Sequence, residues 1–377
     1  MKSVQVSKKE ELMLKGFNKI PNWLKRVILK PVNKLKISQV KKFKTPKMIM
    51  FYVTDNCNLK CKHCFYWKSV DNPNKFMNLE QIEKVASSLD RLDLLGITGG
   101  EPFVRNDIVD IVRVFVENNK TKRVHIASNG FLVDKIENDV KEILKYLEDS
   151  RLTIQFSLDG FEELHDQLRG IKGSFQNVCE IIKRLNMIDD SRLAVSVATV
   201  VFKKNFNQMR DFKNFVNNEL KVNIKFNVLR KVSSVRGVLK ENLADFDIRD
   251  EDYEVPTIEQ LEELANIIDD GSIPSKIEKK KIEHSINILK GKKSVDCLAG
   301  WRDAVIFSNG EVSICEPILA SVNLKDYDYN FEKLWNSEEF NKIKEKFRGK
   351  CFCMNSCNLL NAMQYNTETL VNLILLP

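Results

Sequence analysis

Nine cysteines punctuate the 377 residues, and eight of them fall in two groups. The first group is Cys57, Cys61 and Cys64, in TDNCNLKCKHCFYW. The second is Cys297 and Cys315, followed by Cys351, Cys353 and Cys357. Thiolates are soft ligands for zinc and for iron–sulfur clusters. Three of them within eight residues can wrap one face of a cubane cluster. A 4Fe–4S cluster takes four ligands, so three local cysteines leave one iron with a position for an external chelator. A structural zinc site normally closes on CxxC pairs, and Cys57-x3-Cys61-x2-Cys64 is not that pattern. A chain of this size does not need disulfide staples. Its start, MKSVQVSKKEELMLKGF, has no apolar export core. Metal ligation in a reducing cytoplasm is the expectation.

More polar residues follow at intervals, most of them just after an apolar, β-branched run. They are Gly99-Gly100-Glu101-Pro102 in ITGGEPF, Ser128-Asn129-Gly130, Ser157 and Asp159 in FSLDG, and Arg169 in HDQLRG. Adjacent glycines let a backbone approach a ligand closely. With the cysteine triplet, these segments resemble the radical S-adenosylmethionine (SAM) superfamily, with its CxxxCxxC signature and GGEP motif. The resemblance implies that Cys57, Cys61 and Cys64 hold a 4Fe–4S cluster whose open iron is chelated by SAM. One electron enters the sulfonium, the C–S bond breaks, and a 5′-deoxyadenosyl radical abstracts hydrogen from substrate. It further implies SAM contacts from Gly99, Gly100, Glu101, Pro102 and Asn129. Glu101 would meet the SAM ammonium, Ser157 and Asp159 the ribose hydroxyls, and Arg169 the SAM carboxylate. His63 is expected to pack against adenine. His125, His284 and Cys179 are expected to be structural.

The second group reads C-x12-G-x4-C from Cys297 through Gly310 to Cys315, then Cys351-x-Cys353-x3-Cys357. This resembles the SPASM/twitch extension of radical SAM enzymes, which carries auxiliary clusters. Five thiols serve one four-ligand cluster with one left over. The expected ligands are Cys297, Cys315, Cys353 and Cys357, with Cys351 as the spare or in exchange with Cys353. Zinc held by four cysteines is the alternative.

These residues need a frame that brings them to one rim. Apolar runs start near residues 48, 94, 123, 152, 194 and 223, and helical patterns lie between them. Several spacings are close to 29 residues, the length of one β/α unit. Six such units predict an α/β fold, a partial (β/α)6 TIM-like barrel, and the resemblance of the second cysteine group implies a C-terminal SPASM/twitch extension of β-hairpin plus helix. The expected boundaries are a basic arm at 1–47, the barrel at 48–235, a helical connector at 236–296 and the auxiliary unit at 297–377. A hairpin is expected in AVIFSNGEVSIC, turning at Asn309-Gly310.

Residues 1–47 hold 14 Lys and Arg against two acids, whereas the remainder is slightly acidic. Pro21 and Pro31 are expected to cut this arm into short helices. Its mix of Trp23, Leu, Ile and Val with Lys and Arg fits either of two placements. The apolar face could pack on the protein, or residues 1–45 could lie on the cytoplasmic face of an anionic membrane. No apolar run reaches the ~20 residues of a membrane span. The tail TLVNLILLP is expected to be buried. Nucleic acid is not an expected partner, because the body is acidic. A reductant such as ferredoxin or flavodoxin is expected. The short basic arm favours a lipid-linked or sugar substrate over a peptide. An iron–sulfur carrier or sensor without SAM chemistry is the non-enzyme alternative, and the GGEP, SLDG and Arg169 set argues against it.

Overall fold

A computed structural model describes residues 20–232, 235–244 and 247–374. Residues 1–19 of the basic arm lie outside the described residues. Six β/α units follow the predicted rhythm. The strands are β1 (Met48–Thr54), β2 (Leu94–Gly99), β3 (Arg123–Ser128), β4 (Arg151–Ser157), β5 (Leu193–Val201) and β6 (Asn223–Val228). Each pairs parallel with the next, for example Ile97 with Ile126 and Phe156 with Val197. Ahead of them runs helix α1 (Asn22–Val40). Between them lie α2 (Trp67–Asp71), α3 (Leu79–Ser87), α4 (Ile108–Asn119), α5 (Val133–Leu144), α6 (Glu162–Arg169), α7 (Ser174–Asn186) and α8 (Met209–Asn218).

Strand β4 shows why this sheet encloses a site. Leu152, Ile154 and Phe156 are buried toward the helices, while Thr153, Gln155 and Ser157 on the opposite face are only half-buried. Period-two alternation therefore gives one face to the core and leaves the other for a polar interior. Cys179, on the inner face of α7, belongs to the core as expected.

After β6 come β7 (Val235–Arg236), an irregular stretch, and helices α9 (Ile258–Ile268) and α10 (Ile273–Leu289). The hairpin is present as β8 (Asp303–Ile306) and β9 (Glu311–Ser313). It is joined to the barrel sheet, because β8 pairs parallel with β1, Met50 opposite Val305. Strand β10 (Val322–Asn323) then completes one nine-stranded sheet, with β10 and β6 at its ends. The unpaired edge of β1 explains this, since its backbone groups need partners. Helices α11 (Phe331–Trp335) and α12 (Glu338–Phe347), strand β11 (Phe352–Cys353), and helices α13 (Ser356–Met363) and α14 (Thr367–Ile374) finish the chain. Strand β11 pairs with β7, so the connector clasps the last cysteines. The described start of the apolar tail packs inward: α14 packs on α1, with Thr369 and Val371 enclosed, while residues 375–377 lie outside the described residues.

Pro31 does not cut the arm. α1 runs through it unbroken. Proline removes one backbone hydrogen bond, to the carbonyl of Val27. Both residues lie on the exposed side, where water can satisfy that carbonyl.

Strand β2 ends in a close approach of two backbones. A Cβ on Gly100 would stand 2.2 Å from the Asn56 carbonyl oxygen, and one on Gly99 (φ 133°) 2.2 Å from that of Thr54. The Gly100 N–H donates to Thr54 O at 2.8 Å and the Glu101 N–H to Asn56 O at 2.9 Å. Gly100→Ala is therefore expected to destabilise the protein by roughly 2–4 kcal/mol. Gly173→Ala, whose Cβ would meet nothing, should cost only about 1–2 kcal/mol of left-handed backbone strain. Thermal melts of the two variants give the comparison.

Candidate active site

The carboxyl ends of β1 to β4 deliver the predicted residues to one rim, where ligands of a parallel barrel belong. After β1, the loop carries Cys57, Cys61 and Cys64, each thiol within electrostatic reach of the other two. The Leu59 N–H donates to Cys57 Sγ at 3.4 Å. After β2, Glu101 turns inward and is almost fully buried. It accepts from Ser128 Oγ at 2.9 Å, Asn129 N at 2.6 Å and Phe103 N at 3.2 Å. Pro102 opens a single 3-10 turn there. Asn129, after β3, donates from Nδ2 to Asn58 Oδ1 at 2.8 Å and to Cys57 Sγ at 3.8 Å. Glu101 and Asn129 thus hold the cysteine loop from its inner side.

From β4, Ser157 faces the half-open interior. Asp159 does not follow it there. It is fully buried, accepting from Val200 N at 2.8 Å and from Arg169 Nη2 at 2.5 Å. It therefore holds Arg169 and offers no exposed oxygen to a ribose, contrary to the sequence expectation. Arg169 also donates from Nη1 to Cys61 Sγ at 3.6 Å. The end of α6 is fastened to the same loop, with Lys62 N donating to Leu168 O at 2.9 Å. His63 Nε2 lies 3.4 Å from Asp159, and burial pushes the imidazole down to about 4, so it is neutral at pH 7. His284 is structural, bonded to Ser294 and Thr369. His125 lies within the barrel, with Nε2 buried and unpaired.

In the second group the five thiols have different surroundings. Cys297, Cys315, Cys351 and Cys353 are mutual electrostatic neighbours in every pairing. The main neighbours of Cys357 are instead Glu316, Arg230, Asp303 and Lys281. The cause is that Cys353 ends the short ribbon with β7, whereas Cys357 enters the first turn of α13 and rotates toward the barrel. Cys351 thus has Cys297, Cys315 and Cys353 as electrostatic neighbours, whereas Cys357 has the Glu316–Arg230 pair. A cavity of about 20 Å³ lies against Cys297 and Cys353. Among the described residues, no three His, Cys, Asp or Glu side chains are gathered as around a single metal ion.

Residues the sequence reading passed over join the two groups. Glu316, next to Cys315, accepts from Tyr52 Oη at 2.6 Å, Arg230 Nη1 at 2.7 Å and Asn355 Nδ2 at 3.0 Å. The Tyr52 ring packs on Tyr66, two residues past Cys64, at 4.8 Å, and Arg230 stacks on Phe65 at 4.2 Å. Asp55 accepts from Tyr66 Oη at 2.7 Å and Ser308 Oγ at 2.6 Å, tying the first loop to the hairpin. The available signal was adjacency: Asp55, Phe65, Tyr66 and Glu316 each lie within two residues of a grouped cysteine.

The donor set suits iron–sulfur clusters. Burial pushes Cys57 up to about 12, Cys64 to about 11 and Cys353 to about 12, so without metal these are thiols. Thiolate ligation must displace their protons. Around the first loop, Asn58 Nδ2, His63 Nδ1 and Arg169 Nε are buried without hydrogen-bond partners. Unpaired buried polar atoms mark a place for a polar group.

A model of the radical SAM superfamily matches residues 51–216, and one of an iron–sulfur cluster-binding domain (SPASM) matches 297–358. The chain belongs to the radical SAM superfamily. As a radical SAM enzyme with a SPASM domain, it uses SAM, a 4Fe–4S cluster and auxiliary iron–sulfur ligation. It is 29% identical to the antilisterial bacteriocin subtilosin biosynthesis protein AlbA of Bacillus subtilis, over 87% of this chain and 71% of AlbA. It is 34% identical to the Fe-coproporphyrin III synthase of Methanosarcina barkeri, over 36% of this chain and 33% of that protein. Two solved structures share the radical SAM fold. Streptococcus suis SuiB bound to precursor peptide SuiA has a TM-score of 0.58 at 17% identity, covering 88% of this chain and 74% of SuiB. Native anSMEcpe with bound AdoMet has a TM-score of 0.54 at 18% identity, covering 80% and 83%.

Burial, outweighing its hydrogen bonds, pushes Glu101 up to about 7 from an ordinary 4.5. The folded protein thus keeps a proton there that the unfolded chain releases. The stability linked to this group is complete below about pH 4.5 and is lost as the pH rises through 7. Glu101→Gln should flatten that fall in the metal-free protein's stability between about pH 4.5 and 7, while losing the hydrogen bonds that one carboxylate oxygen accepts. Denaturant titrations across the pH range test this. The difference between parent and variant isolates Glu101, because Asp303, pushed up to about 7 by burial, and His63, His125 and His165, pushed down by burial, titrate alike in both.

Proposed function

We propose that the chain cleaves SAM reductively at a 4Fe–4S cluster on Cys57, Cys61 and Cys64 and uses the resulting radical to modify a peptide. The observation that carries this reading is the cysteine loop itself, set on the rim among buried polar atoms without partners. When bound, the cluster and SAM supply a 5′-deoxyadenosyl radical. This chain's own residues bind and orient. Gly99, Gly100 and Pro102 bring Glu101 to the rim, where its carboxylate would take the SAM ammonium. Arg169, held by Asp159, would take the SAM carboxylate while donating to Cys61. Ser157 and Asn129 face the remaining polar edge. The neutral ring of His63 walls the site near Asp159.

The auxiliary 4Fe–4S cluster would use Cys297, Cys315, Cys351 and Cys353, leaving Cys357 free. Residues 48–235 would form the catalytic barrel, 236–296 the connector and 297–377 the auxiliary unit. The basic arm alone favoured a lipid-linked or sugar substrate. Similarity to a bacteriocin biosynthesis protein along most of the chain supports a peptide instead. A carrier such as ferredoxin or flavodoxin would supply the electron, and the arm would hold the enzyme at the cytoplasmic face of a membrane.

Anaerobic reconstitution with SAM and dithionite is expected to yield 5′-deoxyadenosine by mass spectrometry. The variant with Cys57, Cys61 and Cys64 all changed to Ala should yield none and should lose about half of the bound iron. Full iron in that variant would refute the assignment. On this triple-Ala background, Cys351→Ala should remove the remaining iron and Cys357→Ala should retain it. The reverse result would restore the sequence-based ligand set.

A further inference from the structure

Helix α1 buries Lys25, Asn33 and Val40 against the protein and leaves Trp23, Val27, Ile28, Val32 and Leu35 exposed to solvent. On the inner side, Arg26 donates to the Glu368 carboxylate of α14 at 2.9 Å, and Asn33 Nδ2 to Thr367 Oγ1 at 3.1 Å. Lys25 is buried there as well. On the outer side Trp23 is 65% exposed, Val27 60% and Leu35 62%, and Ile28, Pro31 and Val32 are exposed with them. At about 100° per residue, these six positions fill one continuous half of the helix circumference. Exposed Lys30 and Lys34 stand at one border of that half and Lys36 at the other. The arm therefore does not cover its own domain with its apolar face, which was one of the two placements its composition allowed.

A contiguous apolar patch of this kind marks an interaction site. Its surroundings select the partner. No acidic residue occurs between Glu11 and Asp55. A second copy docked on the same face by a two-fold axis would bring lysine-rimmed surfaces together. Nucleic acid would meet the lysines but leave the tryptophan and aliphatic half in water. An anionic bilayer satisfies both: apolar side chains enter the acyl boundary, Trp sits at the interface, and lysines reach lipid phosphates. Among the described residues no helix is long and apolar enough to cross a membrane. A helix docked side-on to α14 is placed to lie in the membrane plane.

We infer that α1 is an in-plane anchor for anionic membranes, with Trp23, Val27, Ile28, Val32 and Leu35 inserted and Lys30, Lys34 and Lys36 at the headgroups. This deepens the membrane contact of the proposed function and is independent of the SAM chemistry.

The full chain is expected to co-sediment with phosphatidylglycerol-containing vesicles and much less with pure phosphatidylcholine. The variant Trp23→Ser/Val27→Ser/Leu35→Ser should weaken vesicle binding roughly tenfold or more. The variant Lys30→Gln/Lys34→Gln/Lys36→Gln should lose most of the preference for anionic lipid, at roughly fivefold per lysine. Both sets are exposed, so unchanged thermal melts confirm intact folding. Absence of vesicle binding, or binding equal in the Ser variant, overturns the anchor. So does a dimer, seen by analytical ultracentrifugation, that the Ser variant dissolves, because the face would then belong to a second copy. Measuring 5′-deoxyadenosine on the same samples keeps the two readings apart: lost binding with retained cleavage concerns the anchor alone.

Discussion

Two parallel strands cannot normally bring their outgoing loops into backbone contact, because side chains keep them apart. Here β2 ends in Gly99-Gly100, and its backbone lies directly against the Thr54–Asn56 segment leaving β1. The pairing of the two strands shifts register at this point. The loop that leaves β1 is thereby turned over the rim with its three thiols inward, and Glu101 is swung under it. Everything else on the rim is fitted to that contact. Glu101 fixes Ser128 and Asn129, Asn129 reaches Asn58 and Cys57, and Arg169 closes the far side against Cys61. The glycines, which motif reading alone assigns to ligand approach, are needed first for chain approach.

The two cysteine groups are held by one continuous set of contacts. Tyr52 lies on β1 and Arg230 follows β6, yet both bond Glu316, which adjoins Cys315. Paired with Arg230 and Tyr52, the Glu316 carboxyl is held below its ordinary range despite burial, so it remains charged. A buried carboxylate with three donors is stable only while all three stay in place. The distance between the groups is thus fixed by side chains drawn from β1, β6 and the hairpin.

Much of this was legible in the sequence. The six strands were readable because each is an apolar, β-branched run bounded by polar turns. The cysteine loop, GGEP and FSLDG stood out because spacing and residue type are themselves the chemical requirement. What escaped was set by tertiary geometry. Cys351 and Cys357 are equivalent thiols in the sequence, and only the β7–β11 ribbon and the start of α13 separate their directions. Asp159 follows Ser157 by two residues, but burial against Arg169 gives it a different task. Pro31 reads as a helix breaker, yet it is tolerated where the freed carbonyl faces water. The orientation of α1 was beyond reach because amphipathicity gives two faces without saying which one the protein keeps.

Strand β8 reaches its place beside β1 only after some 250 intervening residues have been made. Until then β1 has a bare edge, and Tyr52 and Asp55 lack their partners Glu316 and Ser308. On a ribosome, the first cysteine loop would therefore emerge long before the wall that shields it. Contacts of such sequence separation also form slowly. The shielded setting of that loop belongs to the finished chain, and a nascent one exposes three thiols for as long as synthesis of the second half takes.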